Sequence, residues 1–347
     1  MAIGLDVGSS AVRAAELASR RGRLQLTRYG EVALPPGAVV DGDVVEPDAV
    51  ADGLRELWKL AGLRRRDVAV GLASQRVTVR QLELPELPEP ELADAVALQA
   101  QDQLAIPPDQ AVLDHVGVGS APVGEERRNV RVLLVAAERE MVERLLAAVT
   151  AAKLRPVLVD LDAFALLRSV ASGSGLPDEA ELIVDVGASV TKIAVHCGGR
   201  PLFVRMVRLG GEDVTRKIQD VLELPWDEAE ASKLDASRSL NTGAELDPDD
   251  ERRQLLSNSV NHVIREVRHS LDFFGGQQEV ELKRVVLSGG ASLTPNLGEQ
   301  LGAALDLPVE PGDPFRSMEG PLPTEELRSD TARFLAVPVG LAMGLVT

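Results

Sequence analysis

The chain has 347 residues, more than a single hydrophobic core usually organises, so two lobes are expected. Its 37 basic and 54 acidic residues leave a net charge of −17, which argues against a nucleic-acid surface and against direct adsorption to anionic lipid. The lone Cys197 excludes an internal disulfide and fits a reducing cytoplasm; no apolar run approaches the roughly 20 residues that span a bilayer, and no signal peptide precedes the first strand. Hydrophobic residues make up 45% but aromatics only 3%, so Leu, Val and Ala must fill the cores.

In chain order, Ile3-Gly-Leu-Asp-Val-Gly-Ser-Ser-Ala-Val-Arg13 reads as a strand running into Asp6, a turn at Gly8, and a second strand carrying Arg13. Leu24 to Val32 continues a meander, and Ala49 to Ala61 has the apolar stripe of a helix. Asp67 to Leu72 is a buried strand, preceded by Arg64-Arg65-Arg66 at a solvated corner. Composition shifts near Val77. A strand (Val77 to Leu82), a helix (Glu91 to about Leu104), two strands (Val112 to Val118 and Val130 to Ala136) and a helix (Glu138 to Lys153) follow. That block, 77–155, reads as a subdomain inserted into the first lobe, which comprises 1–76 and 156–180.

After the strand Pro156 to Asp160 comes a small-residue helix, Leu161 to Ala171, ended by Ser172-Gly-Ser-Gly175. The second lobe, 181–347, then opens with Asp185-Val-Gly-Ala-Ser-Val-Thr-Lys192, repeating the first hairpin 179 positions further on. Asp, Val, Gly and the second Ser recur at the same offsets, and Lys192 stands where the first copy has Arg13. Gly210-Gly211 is read as a turn before a helix Val214 to Leu222, and Trp226 begins another in which Glu230 and Lys233 share a face. A long helix covers Arg252 to Phe274. Arg284-Val-Val-Leu-Ser-Gly-Gly-Ala-Ser-Leu-Thr-Pro-Asn296 reads as a buried strand, a glycine turn and a helix start, and the last helix is expected over Thr331 to Leu345.

These motifs share a chemistry. Glycine lets backbone approach a ligand closely, successive N–H groups form an anion site, hydroxyls add hydrogen bonds, and a cation on the next strand neutralises phosphate. Asp6 and Asp185 would repel a phosphate tail unless Mg²⁺ lies between, held through water. Two hairpins, one per lobe, therefore read as closing on one Mg-nucleotide. The Ser288-Gly289-Gly290 turn offers bare backbone to a base or ribose; it is neither a Walker A loop nor Gly-x-Gly-x-x-Gly. His115, His196, His262 and His269 lack ligand spacing, and no nucleophile motif appears.

The two Asp-Val-Gly hairpins, the Gly211-Glu212 stretch and the Ser-Gly-Gly-Ala turn, in that order, resemble the actin-like ATPase superfamily and, within it, the PilM family of type IV pilus assembly. The resemblance spans essentially the whole chain. It implies an α/β, ribonuclease H-like duplicated two-lobe fold with a strand-helix-strand-strand insert shared with the division protein FtsA. It implies that Asp6, Gly8, Ser9, Ser10 and Arg13 form the first phosphate loop. Asp185, Gly187, Ser189, Thr191 and Lys192 would form the second, and Gly211, Glu212, Glu230, Lys233, Gly289 and Gly290 the ribose and adenine contacts. ATP and Mg²⁺ are the implied cofactors, with Asp6 and Asp185 holding the metal. The helices at 161–171 and 331–345 resemble the pair that crosses between lobes.

Two departures stand out: Arg13 replaces the usual Lys, and Gln99-Ala-Gln-Asp-Gln-Leu-Ala-Ile106 matches the family's insert helix only loosely. The chain stops at Val346-Thr347, directly after the last helix, where FtsA carries a membrane helix; this favours PilM over FtsA. The implied function is a cytoplasmic ATP-binding scaffold of a pilus or secretion machine. It would be recruited to the inner face of the cytoplasmic membrane by gripping the N-terminal peptide of a PilN-like protein between the insert and the first lobe, and it could form homo-oligomers. An FtsA-like filament protein and a small-molecule kinase are the alternatives. Hydrolysis is expected to be slow or absent; Asp160 and Asp162 are the candidates for orienting water.

Overall fold

The first hairpin pairs β1 (Ala2–Val7) with β2 (Ala11–Arg20), closed by Gly8 N–H on the Ala11 carbonyl at 3.1 Å. Such a tight closure leaves the glycine backbone bare at the turn. This computed structural model describes residues 1–346 apart from 21, 105, 122–128, 172–178, 244–246, 248, 277–279, 320, 321, 323, 325, 326, 328 and 329. The expected helix terminator Ser172 to Gly175, most of the loop 119–129 and part of the acidic loop 247–251 lie outside the described residues.

The chain continues with β3 (Arg23–Ala33), a short hairpin of β4 (Val39–Val40) and β5 (Asp43–Val44), α1 (Pro47–Leu60) and β6 (Asp67–Leu72). Then come β7 (Val77–Pro85), α2 (Glu89–Gln103), β8 (Ala111–Ala121), β9 (Asn129–Glu138), α3 (Arg139–Ala151), β10 (Arg155–Leu161) and α4 (Asp162–Val170). The remainder is β11 (Ala180–Val186), β12 (Val190–Cys197), β13 (Arg200–Arg208), α5 (Gly211–Leu222), α6 (Trp226–Asn241), α7 (Glu251–Gly275), β14 (Leu282–Ser288), α8 (Leu297–Leu305), β15 (Val309–Pro311) and α9 (Ala336–Met343).

Two five-stranded sheets have the same plan. The first runs β10-β6-β1-β2-β3 and the second β13-β12-β11-β14-β15; each joins an antiparallel three-strand meander to parallel strands. The register repeats too: Asp6 faces Arg13 and Val7 faces Val12, as Asp185 faces Lys192 and Val186 faces Thr191. The duplication seen in residues is thus a duplication of fold. A third sheet, β7-β9-β8, carries α2 on one face through Leu82, Leu84, Leu92, Val96 and Leu134. Its other face, with Val77, Leu133 and Val135, joins the main core alongside Val204 and Met206 of β13.

The helix α3 packs on α1 of the first lobe, burying Met141, Leu145 and Val149 in the main core. The small-residue helices α4 and α9 cross at atomic contact: a Cβ on Gly340 would lie 1.8 Å from the Ala165 carbonyl oxygen. The last helix is shorter than expected. Residues Asp330–Leu335 form a 3₁₀ turn and α9 begins at Ala336, because Pro338 has no N–H and is tolerated only in a first turn. No helix among the described residues is long and apolar enough to cross a membrane.

Candidate functional site

Between the two sheets lies a cleft of about 410 Å³, within the range of small-molecule sites. Asp6, Ser9, Ser10 and Arg13 line it from one lobe; Asp185, Gly187, Lys192, Gly211, Glu212, Glu230, Lys233, Gly289 and Gly290 line it from the other. A narrower extension of about 70 Å³ beneath the hairpins adds Gly8, Ser189 and Asp162. The hairpins touch across the lobes, the Ser9 and Ser189 hydroxyls sharing a hydrogen bond.

Thr191 lines neither space. Strand side chains alternate, so Lys192 facing the cleft turns Thr191 inward, where its hydroxyl donates to the Leu209 carbonyl at 2.7 Å. It occupies the position of Val12 in the first copy.

Around the phosphate end, charge is concentrated. Lys192 Nζ donates to Asp185 Oδ1 at 2.9 Å and stands 3.5 Å from Asp162 Oδ2. Burial acts to depress this ammonium, yet Asp185, Asp162 and Asp6 together hold it above the usual lysine range. Burial raises Asp6 against the pull of Lys192 and Arg13, with Asp185 adding repulsion. Burial likewise lifts Asp162 to about 7, opposed by Lys192 and assisted by Asp6 and Asp185. The buried Oδ1 of Asp162 has no hydrogen-bond partner among the described residues. Asp160, the other water-orienting candidate, is tied to Arg168 and to the Leu161 N–H, so it is structural.

Arg13 does not extend freely into the cleft. Its Nε donates to Glu31, Nη1 lies 3.8 Å from Asp6, and its guanidinium sits over the Phe334 ring, 5.5 Å from the centroid.

No group of three His, Cys, Asp or Glu among the described residues stands close enough to ligate a metal directly. Asp6, Asp162 and Asp185 nevertheless gather round Lys192, and such a set of carboxylates suits a hydrated Mg²⁺ held through its waters.

The far wall is built by α5 and α6. Gly211 and Glu212 N–H groups donate to the carbonyls of Gly187 and Ala188, at 3.1 and 2.8 Å, and Gly210 N–H to Asp213 at 2.9 Å. The start of α5 therefore braces the second hairpin, and the helix begins three residues before the expected Val214. Lys233 Nζ reaches Glu230 at 2.7 Å, Thr215 at 2.9 Å and the Gly211 carbonyl at 3.2 Å, so this pair is a wall of the cleft rather than a surface ion pair. Burial raises Glu212 to about 7, against Arg216 and Lys233.

Gly289 adopts φ +84°, and a Cβ there would lie 2.4 Å from the Val186 carbonyl oxygen, so glycine is required. The expected helix start after this turn is instead a 3₁₀ turn, Gly290–Leu293, and α8 begins only at Leu297. Thr294 precedes Pro295 and is extended (ψ 130°), as proline imposes. Arg333, Phe334 and Trp226 also line the cleft; the sequence shows them only as an Arg-Phe pair inside the expected last helix and an aromatic at a helix start.

The repeated sheets closing on one cleft define the actin-like fold. MreB5 of Spiroplasma citri bound to ADP is similar in this respect (TM-score 0.54, 13% identity, 98% of this chain and 94% of that one), as is the ethanolamine utilization protein EutJ from Carboxydothermus hydrogenoformans (TM-score 0.54, 16% identity, 99% and 89%). The family profile for type IV pilus assembly protein PilM matches residues 4–345, and the chain belongs to that family. A solved PilM-PilN type IV pilus biogenesis complex is similar over 100% of this chain and 98% of that one, with 29% identity and a TM-score of 0.87. The cell division protein FtsA of Neisseria meningitidis serogroup B (strain ATCC BAA-335 / MC58) is a more distant relative, 24% identical over 351 residues, covering 89% of this chain and 83% of FtsA.

Proposed function

We propose that this actin-like type IV pilus assembly protein is an ATP-binding scaffold whose lobes are braced by one nucleotide. The observation that carries it is the pair of hairpins in identical register, brought from two lobes to one cleft with Ser9 and Ser189 in contact. The turns at Gly8 and Gly187, whose own N–H groups close the hairpins onto the Ala11 and Val190 carbonyls, would let phosphate approach the backbone, and the Ser hydroxyls would hold it. Lys192 and Arg13 would neutralise it, Asp6 and Asp185 would hold Mg²⁺ through water, and Glu212, Glu230, Lys233, Gly289 and Gly290 would bound the ribose and base. Mg²⁺ supplies charge to the phosphate tail; Asp162, with its unpartnered oxygen, is the group of this chain placed to orient a water. Hydrolysis is read as slow or absent.

The solved PilM-PilN complex supports a PilN-like partner; beyond it, our reading is that the cytoplasmic N-terminal peptide of a PilN-like inner-membrane protein would bind between the block 77–155 and the first lobe. It would thereby recruit this chain to the membrane. A ligand shifts a two-state equilibrium only through its differential affinity for the states. If both ligands favour the closed state, ATP and peptide must strengthen each other equally, by about 1–3 kcal/mol. Calorimetry of the peptide with and without Mg-ATP tests this. A peptide affinity that does not change with nucleotide contradicts it, and rapid phosphate transfer to a small acceptor would favour the kinase.

A further inference from the structure

A second cavity, of about 290 Å³, opens where β7 approaches β13 and α7, and it shares no lining residue with the nucleotide cleft. Its floor is Val79, Leu133 and Phe203; its rim is Arg80, Gln81, Arg205, His269 and Phe273. β7 is the outer strand of its sheet, hydrogen-bonded to β9 on one side, and β13 is the outer strand of the second lobe's sheet. The face of β7 toward the second lobe runs Val77, Val79, Gln81, Glu83, paired with Ala137, Val135, Leu133 and Arg131. It is apolar where it meets β13 and turns polar where the cavity opens. A charged residue on an edge strand is by itself only a guard against aggregation. Here it stands with other features that converge.

In a chain of net charge −17, every charged or titratable side chain lining this cavity is basic: Arg80, Arg205 and His269. The nearest acids are committed. Glu83 pairs with Arg131 at 3.0 Å, and Glu266 lies 3.8 Å from Arg205, whose Nη1 also donates to the Ser270 hydroxyl at 3.1 Å, so Arg205 is engaged within the wall and Arg80 carries the charge offered to a ligand. Among the described residues Arg80 donates only to the carbonyl of Val79, at 3.1 Å. Phe273, 51% exposed, stacks at a tilt on Phe203, 6.2 Å between centroids, and lines the cavity. Basic rim, aromatic platform and strand edge together specify a ligand with acidic side chains, an apolar anchor and an extended backbone.

We infer that the groove between β7 and the β13–α7 wall is a docking site for an extended acidic segment of a partner protein, added along the edge of β7 with an apolar side chain on Phe273 and a carboxylate at Arg80. The site is separate from the first-lobe groove assigned above to the PilN-like peptide.

The probe is a fluorescein-labelled peptide alternating glutamate and valine around one phenylalanine, with a lysine-for-glutamate version as control, titrated by anisotropy into the full chain. Saturable binding of the acidic peptide alone is expected, weakened about tenfold or more by Arg80→Glu and by Phe273→Ala. Both variants should keep the wild-type melting response to Mg-ATP, which shows that they fold. Hydrogen exchange in the unmodified chain should slow at 79–81 when the acidic peptide is bound. No saturable binding, equal binding of the lysine peptide, undiminished affinity in both variants, or unchanged exchange at 79–81 would each overturn the assignment.

Discussion

Lys192 reaches Asp185 at 2.9 Å while its neighbour Thr191 gives its hydroxyl to the Leu209 carbonyl, so two adjacent residues of one motif have different work. Thr191→Val, which makes the position like Val12, should leave the melting response to Mg-ATP intact and cost about 1 kcal/mol for the lost hydrogen bond. Lys192→Met should abolish the response; thermal melts of both variants decide the matter. The shifts at Asp162 and Glu212, both raised to about 7, carry a pH prediction. The folded chain binds more protons than the unfolded chain between about pH 4 and 7, so these groups make stability fall as pH rises through that window. Asp162→Asn should flatten the decline of Tm from pH 5.5 to 8, measured without nucleotide, and an unaltered slope would show that Asp162 does not titrate there. Spacing revealed Asp6, Gly8, Asp185 and Gly187 because their order is repeated, and the glycine turn itself pointed to Gly289 and Gly290, whereas Gly211, Glu212 and Glu230 were expected only through the resemblance. Spacing missed Arg333 and Phe334, whose place in the cleft depends on a 3₁₀ turn that Pro338 imposes from downstream.

Among the elements, α4 and α9 pack in atomic contact, and composition exposed them: small residues such as Ala165 and Gly340 allow close approach. With a Gly340 Cβ placed 1.8 Å from the Ala165 carbonyl oxygen, Gly340→Leu has no room and should cost at least about 1–3 kcal/mol, visible as a lower urea midpoint with an unchanged slope. A variant as stable as wild type would mean the helices can separate without cost. The antiparallel meanders were readable because alternation and glycine turns are local. The three-residue β15 was not, since its pairing with Val285 to Leu287 is supplied by the sheet rather than by its own pattern. The early start of α5 was hidden for a related reason: its first N–H groups are satisfied by Gly187 and Ala188, residues more than twenty positions earlier.

At the scale of the whole molecule, the strand orders β10-β6-β1-β2-β3 and β13-β12-β11-β14-β15 make the chain two copies of one plan facing each other. The residue repeat foretold the copies, but not that the sheet β7-β9-β8 would lay Leu133 and Val135 against Val204 and Met206 of the second lobe, because alternation names a buried face and not what covers it. That contact ties the middle block to both lobes, so a nucleotide that closed the cleft, as proposed, would act on its surroundings too. The central claim is that each lobe contributes half of one phosphate site. Isothermal titration of Mg-ATP into wild type, Asp6→Ala and Lys192→Met tests it most directly, beside melting curves in which ligand at 1,000 times its Kd adds about 4 kcal/mol. One molecule of nucleotide should bind per wild-type chain, and either variant, altered in a single lobe, should lose most of the affinity while its apo form stays folded. Wild-type affinity in either variant would contradict the shared site.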